Sequence, residues 1–447
     1  MLLPAVHSCN DPLDDSQIFN PDTDGEIGTD DGAEEDNGTD PGTEDIKFQD
    51  MPVVTIITEN NAPITSKETY VNGSISISDL DCRYSDVQLF NSKMKIRGRG
   101  NSTWGFEKKP YRIKLEDNQE VLGMHANKDW VLLANYCDKS LVRNITAMEI
   151  SRKLNFAWTL DMIPVEVYLN GDYLGIYCFC QHKEVDSHRV DIASDEFLFE
   201  LDKNMDEDFC FRSEVCKMPV MLQNPEDPSP ETINEAKQIF NEFETSLYSE
   251  NFKSAENGYA KYIDVDSFIK YYIIEELSYN IDGKCCKSTF LTKEKGKKLE
   301  MYFVWDFDIA FGNCNYFGDF YNLGNGPEGF HTRDYLSDYK ENGINYGNYG
   351  KGWYFRLFQD PAFVNKVQKM WNDIYPFLQT VPDLIDKHVE NMGTEPIQRN
   401  FKKWKILGKY IWPQTIPYPD THAGEVQKLK EFYTARLEWL NKELNKL

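Results

Sequence analysis

The chain has no run of about 18 apolar residues, the least that carries a helix across a bilayer, so no stretch reads as a membrane span. Basic residues are scarce: 48 Lys and Arg stand against 74 Asp and Glu, a formal net charge of -26. Affinity for a polyanion comes from clustered Lys and Arg, and with no basic block nucleic-acid binding is not expected. An acidic surface also repels anionic lipid. Cysteine is sparse and irregular, ten in 447 residues, which excludes a disulfide scaffold. Cys178-x-Cys180 and Cys285-Cys286 have no partner pair at finger spacing and no H-x₃-H after them, which argues against structural zinc and for buried free thiols. No internal repeat is visible.

What is present is unevenly distributed. Residues 10 to 50 hold 11 Asp, 4 Glu and a single Lys, a net -14 that is more than half of the excess. This tract has too little apolar surface to fold alone and is expected to be a disordered acidic linker. Before it, Ser8-Cys9 follows a short apolar scrap, Met1 to Val6. The junction resembles the end of a bacterial lipoprotein signal with its basic and apolar regions truncated, and the acidic run resembles the surface-export tail of Bacteroidetes lipoproteins. That resemblance implies an extracytoplasmic protein on the surface of a Gram-negative bacterium, tethered to the membrane only through lipid on Cys9. An ordinary disordered N-terminus is the other reading.

From Met51 the pattern turns β. Val53 to Ile57, Tyr70 to Ile77, Met94 to Arg97, Tyr111 to Leu115, Trp130 to Tyr136 and Phe197 to Leu201 are β-branched or apolar runs broken by turn residues. Pro164 to Cys180 reads as a hairpin turning at Asn170-Gly171. Asp138 is expected to cap a helix running to Leu154. After Pro225 helical spacing takes over: Val265, Phe268, Ile269, Tyr272, Ile273 and Leu277 form one face, and further helices are expected over Trp353 to Tyr375 and from Val426 to Leu444. The chain divides into 1–50, a β-rich 51–224 and a helical 225–447.

Two stretches carry chemistry. Val304-Trp305-Asp306-Phe307-Asp308-Ile309-Ala310-Phe311-Gly312-Asn313 runs from an apolar strand into two carboxylates and a glycine bend. Acids at a strand end suit Mg²⁺, which bridges them to phosphate oxygens; the plainer reading is a pair of turn caps. Arg97-Gly98-Arg99-Gly100-Asn101-Ser102-Thr103 is a glycine, hydroxyl and guanidinium loop whose backbone can approach a phosphate, or else a surface β-turn.

Six stretches in series resemble the CotH kinase family, the spore-coat-H-like atypical kinases. They are Lys108 to Leu115, Trp130 to Asn144, Gly175-Ile176-Tyr177, Arg189-Val190-Asp191-Ile192, Asn280-Ile281-Asp282-Gly283 and Trp305 to Asn313. The resemblance covers about residues 53 to 440 and implies an α+β, two-lobed atypical protein-kinase-like fold that binds ATP and Mg²⁺ between a β-rich N-terminal lobe and a helical C-terminal lobe. It implies Asp306 as the metal-binding acid, with Asp308 as a second ligand, and Asp282 as the catalytic acid. Kinase logic adds Lys114 as the α/β-phosphate lysine paired with Glu149. Arg97, Arg99, Asn101 and Ser102 are expected to line the phosphate side, and Arg143 to serve there or as partner of a core acid. Two positions depart from pattern: Gln181 stands where many relatives have Glu, and Lys287, five residues after Asp282, stands where protein kinases place a metal-binding Asn.

The leading expectation is a secreted or surface-tethered kinase that transfers the γ-phosphoryl group of ATP to a protein hydroxyl. The alternative is an inactive kinase-like binding or scaffolding module, for which 61 Phe, Trp and Tyr could furnish a carbohydrate platform. A glycosidase would need two carboxyls about 5 to 10 Å apart across a sugar cleft.

Overall fold

The computed structural model describes residues 51–315, 326–336, 338–341, 344–348 and 350–447. The acidic tract of 1–50, Cys9 included, lies outside the described residues. The chain opens with β1 (Val53–Thr58), β2 (Val71–Ser78), β3 (Leu89–Gly98), β4 (Tyr111–Val121) and β5 (Met124–Leu133), followed by α1 (Arg143–Leu154), β6 (Met162–Leu169) and β7 (Asp172–Gln181). These seven strands close into a barrel in the order β1-β2-β3-β4-β5-β7-β6. The closing pair is parallel, with Val53 opposite Glu166, and the other pairs are antiparallel. The expected β-rich N-terminal region is thus present, and it takes the form of a closed barrel, which differs from a kinase N-terminal lobe. Pairing β1 with β6 removes both free edges of the sheet.

Period-2 alternation decides which side chains fill the barrel. Ile113, Trp130, Leu132, Tyr177 and Phe179 point inward, whereas Val131, Cys178 and Cys180 belong to the core shared with the helices. The hairpin turn at Asn170-Gly171 forms as expected, with φ of 52° and 89° at its two residues. Asp138 is not the cap of α1, which starts at Arg143. Its carboxylate still reaches the first turn, accepting from Arg143 N at 2.9 Å and from Arg143 Nη1 at 2.6 Å.

A second sheet follows. It combines β8 (Phe197–Leu201), β9 (Cys210–Arg212) and β10 (Pro219–Asn224) with β11 (Thr289–Lys293) and β12 (Glu300–Val304), in the order β12-β11-β8-β10-β9. The boundary expected at 224/225 runs through this sheet. Between its halves lie α2 (Pro230–Leu247), α3 (Val265–Ser278) and the single turn α4 (Gly283–Cys286). From Ser267 to Ser278 every residue of α3 but Lys270 is buried, so it is a central helix packed by α1 and β12 rather than a helix with one apolar face.

The chain ends with β13 (Asp338–Glu341), β14 (Ile344–Asn348), α5 (Trp353–Leu357), α6 (Pro361–Leu378), α7 (Val381–Met392), α8 (Thr394–Lys403) and α9 (His422–Leu444). The helix expected over Trp353 to Tyr375 is split, because Asp360 caps Ala362 N at 3.0 Å and Pro361 begins a new first turn. α8 fastens the barrel to the helices. Asn400 Oδ1 accepts from Ile176 N at 3.0 Å and from the buried Lys108 Nζ at 3.2 Å, and Arg399 Nη2 pairs with Glu166 Oε2 at 2.6 Å.

Candidate functional site

α3 ends at Tyr279 in the left-handed region, φ 49°, and the turn that follows carries Asp282. β12 ends one residue before Trp305 and hands the chain to Asp306, also left-handed at φ 58°. Lys284, Cys285 and Ser288 share this conformation, with φ of 40°, 62° and 47°. Each such non-glycine residue costs about 1 kcal/mol or more, and their clustering on two facing turns marks backbone held by its surroundings.

Hydrogen bonds join the turns. Asn280 Nδ2 donates to Asp306 O and Ser288 Oγ to Asp306 Oδ2, both at 3.3 Å. Phe307 N donates to Asn144 Oδ1 at 2.8 Å, and Phe311 N to Ser278 O at 2.6 Å. Cys137 Sγ donates to Asp308 Oδ2 at 3.2 Å, while Asn313 Nδ2 donates to Asp308 O at 2.8 Å.

Charge is concentrated here. Burial pushes the Asp306 carboxyl above its ordinary range and Asp282 pushes the same way, against Arg99, the Ser288 hydroxyl and Lys183. Asp308 is pushed up to about 7, by burial first and then by Asp306, with Asp138 and Asp282 adding to it. Carboxyls that oppose one another's ionisation favour a cation nearby. Among the described residues no group of three or more His, Cys, Asp and Glu forms a ready-made metal cage. Asp306 and Asp308 nevertheless fit Mg²⁺, which is usually held by one or two carboxylates with phosphate oxygens and water completing the shell.

Arg99 and Lys183 are the cations whose charge acts on Asp306 most strongly among the described residues. The Arg99 guanidinium lies 5.6 Å from the Trp305 ring centroid. Lys183 Nζ is ion-paired with Glu200 on β8 and lies 4.5 Å from the Phe290 ring centroid. Sequence reasoning missed this Lys–Glu pair, although Glu200 is the one charge in the apolar strand Phe-Leu-Phe-Glu-Leu and could have flagged it.

The expected pairing of Lys114 with Glu149 does not form. Lys114 stands opposite Asp129 in the β4/β5 register and its Nζ meets Asp129 Oδ2 at 3.2 Å, while Glu149 pairs with Arg152 on the same helix at 3.2 Å. A directly facing strand neighbour costs less ordering than a partner on a separate helix. Of the phosphate-side residues, Arg99 alone is among the charges acting on Asp306. Arg97 donates to Lys67 O and lies 5.1 Å from the Tyr70 ring centroid, and Asn101 and Ser102 are exposed in a turn. At Gly98 the close approach is made by the Trp104 ring, 2.3 Å from where a Cβ would sit. Arg143 is fully buried as the partner of Asp138, and its Nε donates to Ala310 O at 3.1 Å. Gln181 turns away to accept from Asp161 N at 2.9 Å, and Lys287 meets Asp282 Oδ2 at 3.7 Å.

The family model for CotH kinase protein matches residues 96–440, from β3 to near the end of α9. The chain belongs to the CotH kinase family. In this CotH-family chain Asp282, Asp306, Asp308, Arg99 and Lys183 all fall inside the matched segment, whereas β1 and β2 precede it. No curated protein matches the chain.

Proposed function

We propose that the chain is an ATP- and Mg²⁺-dependent protein kinase that transfers the γ-phosphoryl group to a protein hydroxyl. The observation that carries this reading is the joining of the Asp282 and Asp306 turns by the Asn280 and Ser288 hydrogen bonds, with the charge of Asp282 raising and that of Arg99 lowering the Asp306 carboxyl's affinity for a proton. Asp306 and Asp308 would hold Mg²⁺, which when bound neutralises charge on the β- and γ-phosphates. Asp282 orients the acceptor hydroxyl and takes its proton, and Arg99 with Lys183 holds phosphate oxygens, Glu200 keeping the Lys183 ammonium in place. Catalysis is then chiefly positioning and electrostatic complementarity, which the constrained turns suit.

An inactive, ligand-binding relative is the competing reading, and one observation favours it: Lys287 Nζ sits 3.7 Å from Asp282 Oδ2, so that carboxylate already has a cationic partner. Incubation with labelled ATP and Mg²⁺ or Mn²⁺ separates the two. Label transferred to the protein or to an added acceptor supports the kinase, and Mg²⁺-dependent ATP binding without transfer supports the module. For location, the Ser8-Cys9 junction and acidic tract support surface attachment through lipid on Cys9; mass spectrometry of the native protein showing an unmodified Cys9 overturns it.

A further inference from the structure

The turn that carries Asp282 is organised from beneath by α3. Tyr271 and Glu275, one helical turn apart, lie on the same side of that helix. The Tyr271 hydroxyl accepts from Cys285 N at 3.1 Å and meets Thr289 Oγ1 at 2.6 Å. The Glu275 backbone carbonyl accepts from Asn280 N at 3.3 Å. Two amides of the turn, that of Asn280 and that of the left-handed Cys285, are therefore drawn onto the end of one helix. Asn280, which reaches Asp306 O, belongs to the same arrangement.

Glu275 also fills the space under the glycine of this turn. A Cβ on Gly283 would lie 1.8 Å from Glu275 Oε2 and 3.1 Å from Asn280 Nδ2, so the turn can sit this close only with glycine next to Asp282. Glu276, the neighbouring residue, is fully engaged elsewhere: it takes His331 N and Arg436 Nη2 on Oε1, and Thr332 N and Arg333 N on Oε2. Glu275 is 2 % exposed, and its Oε2 and Asn280 Oδ1 both lack a hydrogen-bond partner among the described residues.

We propose that Glu275 is a positioning residue for Asp282, acting with Tyr271 to hold the 280–285 turn in the left-handed form that presents the Asp282 carboxylate to Asp306. The inference rests on the kinase reading for its catalytic consequence, although the hold on the turn is a property of the fold. A neutral carboxyl suits the role. Ionised, Glu275 would be a buried charge beside Glu276 with no ion pair among the described residues; protonated, it offers a donor to a neighbouring acceptor. Burial, foremost among the causes, drives the group in that direction.

The test compares wild type, Glu275→Gln, Glu275→Leu and Tyr271→Phe by hydrogen exchange over residues 280–288, by Mg²⁺-dependent ATP binding and by steady-state phosphoryl transfer. Gln keeps a neutral acceptor and donor of the same shape, so exchange and turnover should stay within about 3-fold of wild type. Leu replaces the carboxyl packed beneath Gly283: exchange of the 283–285 amides should rise, and kcat should fall about 100-fold, the scale of a small misplacement of a reacting group, with ATP affinity retained. Tyr271→Phe should free the Cys285 amide and give the same pattern more weakly, which keeps the test alive if the Leu variant fails to fold. Unchanged exchange at 280–288 in folded Leu and Phe variants overturns the proposal. So does a Gln variant as impaired as Leu. If wild type transfers no phosphoryl group, the kinase reading fails while the exchange data still decide whether Glu275 holds the turn.

Discussion

Asn280 links the two acidic turns: its Nδ2, on the chain leaving α3, donates over 3.3 Å to the backbone carbonyl of Asp306 at the end of β12. Residues 26 positions apart are thereby kept in register, and the Asp282 and Asp306 side chains inherit that spacing. Asn280→Ala should lower kcat by about 10-fold while the chain stays folded, because leaving the Asp306 carbonyl without its partner costs about 1 to 3 kcal/mol and loosens the turn. Turnover and thermal melting of the variant check this, and unchanged turnover counts against the link.

Asp306→Asn should abolish Mg²⁺-dependent ATP binding with the fold intact, since the amide keeps the shape but loses the charge a hard cation needs. Asp282→Asn should impair transfer more than binding, because an acid beside the acceptor acts mainly in the transition state. Calorimetric titration with ATP, with and without Mg²⁺, reads both. Equal affinity for wild type and Asp306→Asn removes the metal assignment.

Lys183→Met and Lys114→Met distinguish the observed ion pair from the one expected from sequence. Lys183 shares the site with Asp306 and is paired with Glu200, whereas Lys114 is engaged by Asp129. Lys183→Met should weaken ATP binding by about 10-fold or more, consistent with about 1.5 to 3 kcal/mol for a charge-assisted hydrogen bond. Lys114→Met should change it by less. The reverse order would falsify the assignment of Lys183.

Lys108 should make stability rise with pH. Complete burial lowers its pKa from 10.5 to about 7, so between those values the unfolded chain holds a proton that the folded chain does not. Stability then increases as pH climbs through that window and the contribution levels off above it, with a slope of at most about 1.4 kcal/mol per pH unit. Urea unfolding of wild type and Lys108→Met at pH 7, 8 and 9 tests this. The wild-type curve should climb relative to the variant's, and parallel curves contradict the assignment.

A chain beginning at Met51 should melt within a degree or two of the full-length protein, because the Asp-rich tract has too little apolar surface to offset the entropy of ordering it. A loss of several degrees would show that it packs on the body.

Local pattern determined a great deal. Alternation and turn residues marked most strands of the barrel, Asn170-Gly171 marked a hairpin turn of it, and the order of six short motifs marked the family. These features depend on neighbours in the chain, where backbone propensity and side-chain period leave direct traces. Tertiary structure decided the closure of the sheet by a parallel β1/β6 pair, the sharing of one sheet across position 225, and the partners of the charged residues. Lys114 joined Asp129 rather than Glu149, and Arg143 became the core partner of Asp138. Lys183 found Glu200, and Glu275 settled beneath Gly283. A long charged side chain reaches several strands or helices from one backbone position, and its partner is set by which surfaces pack together, a property that no local period encodes.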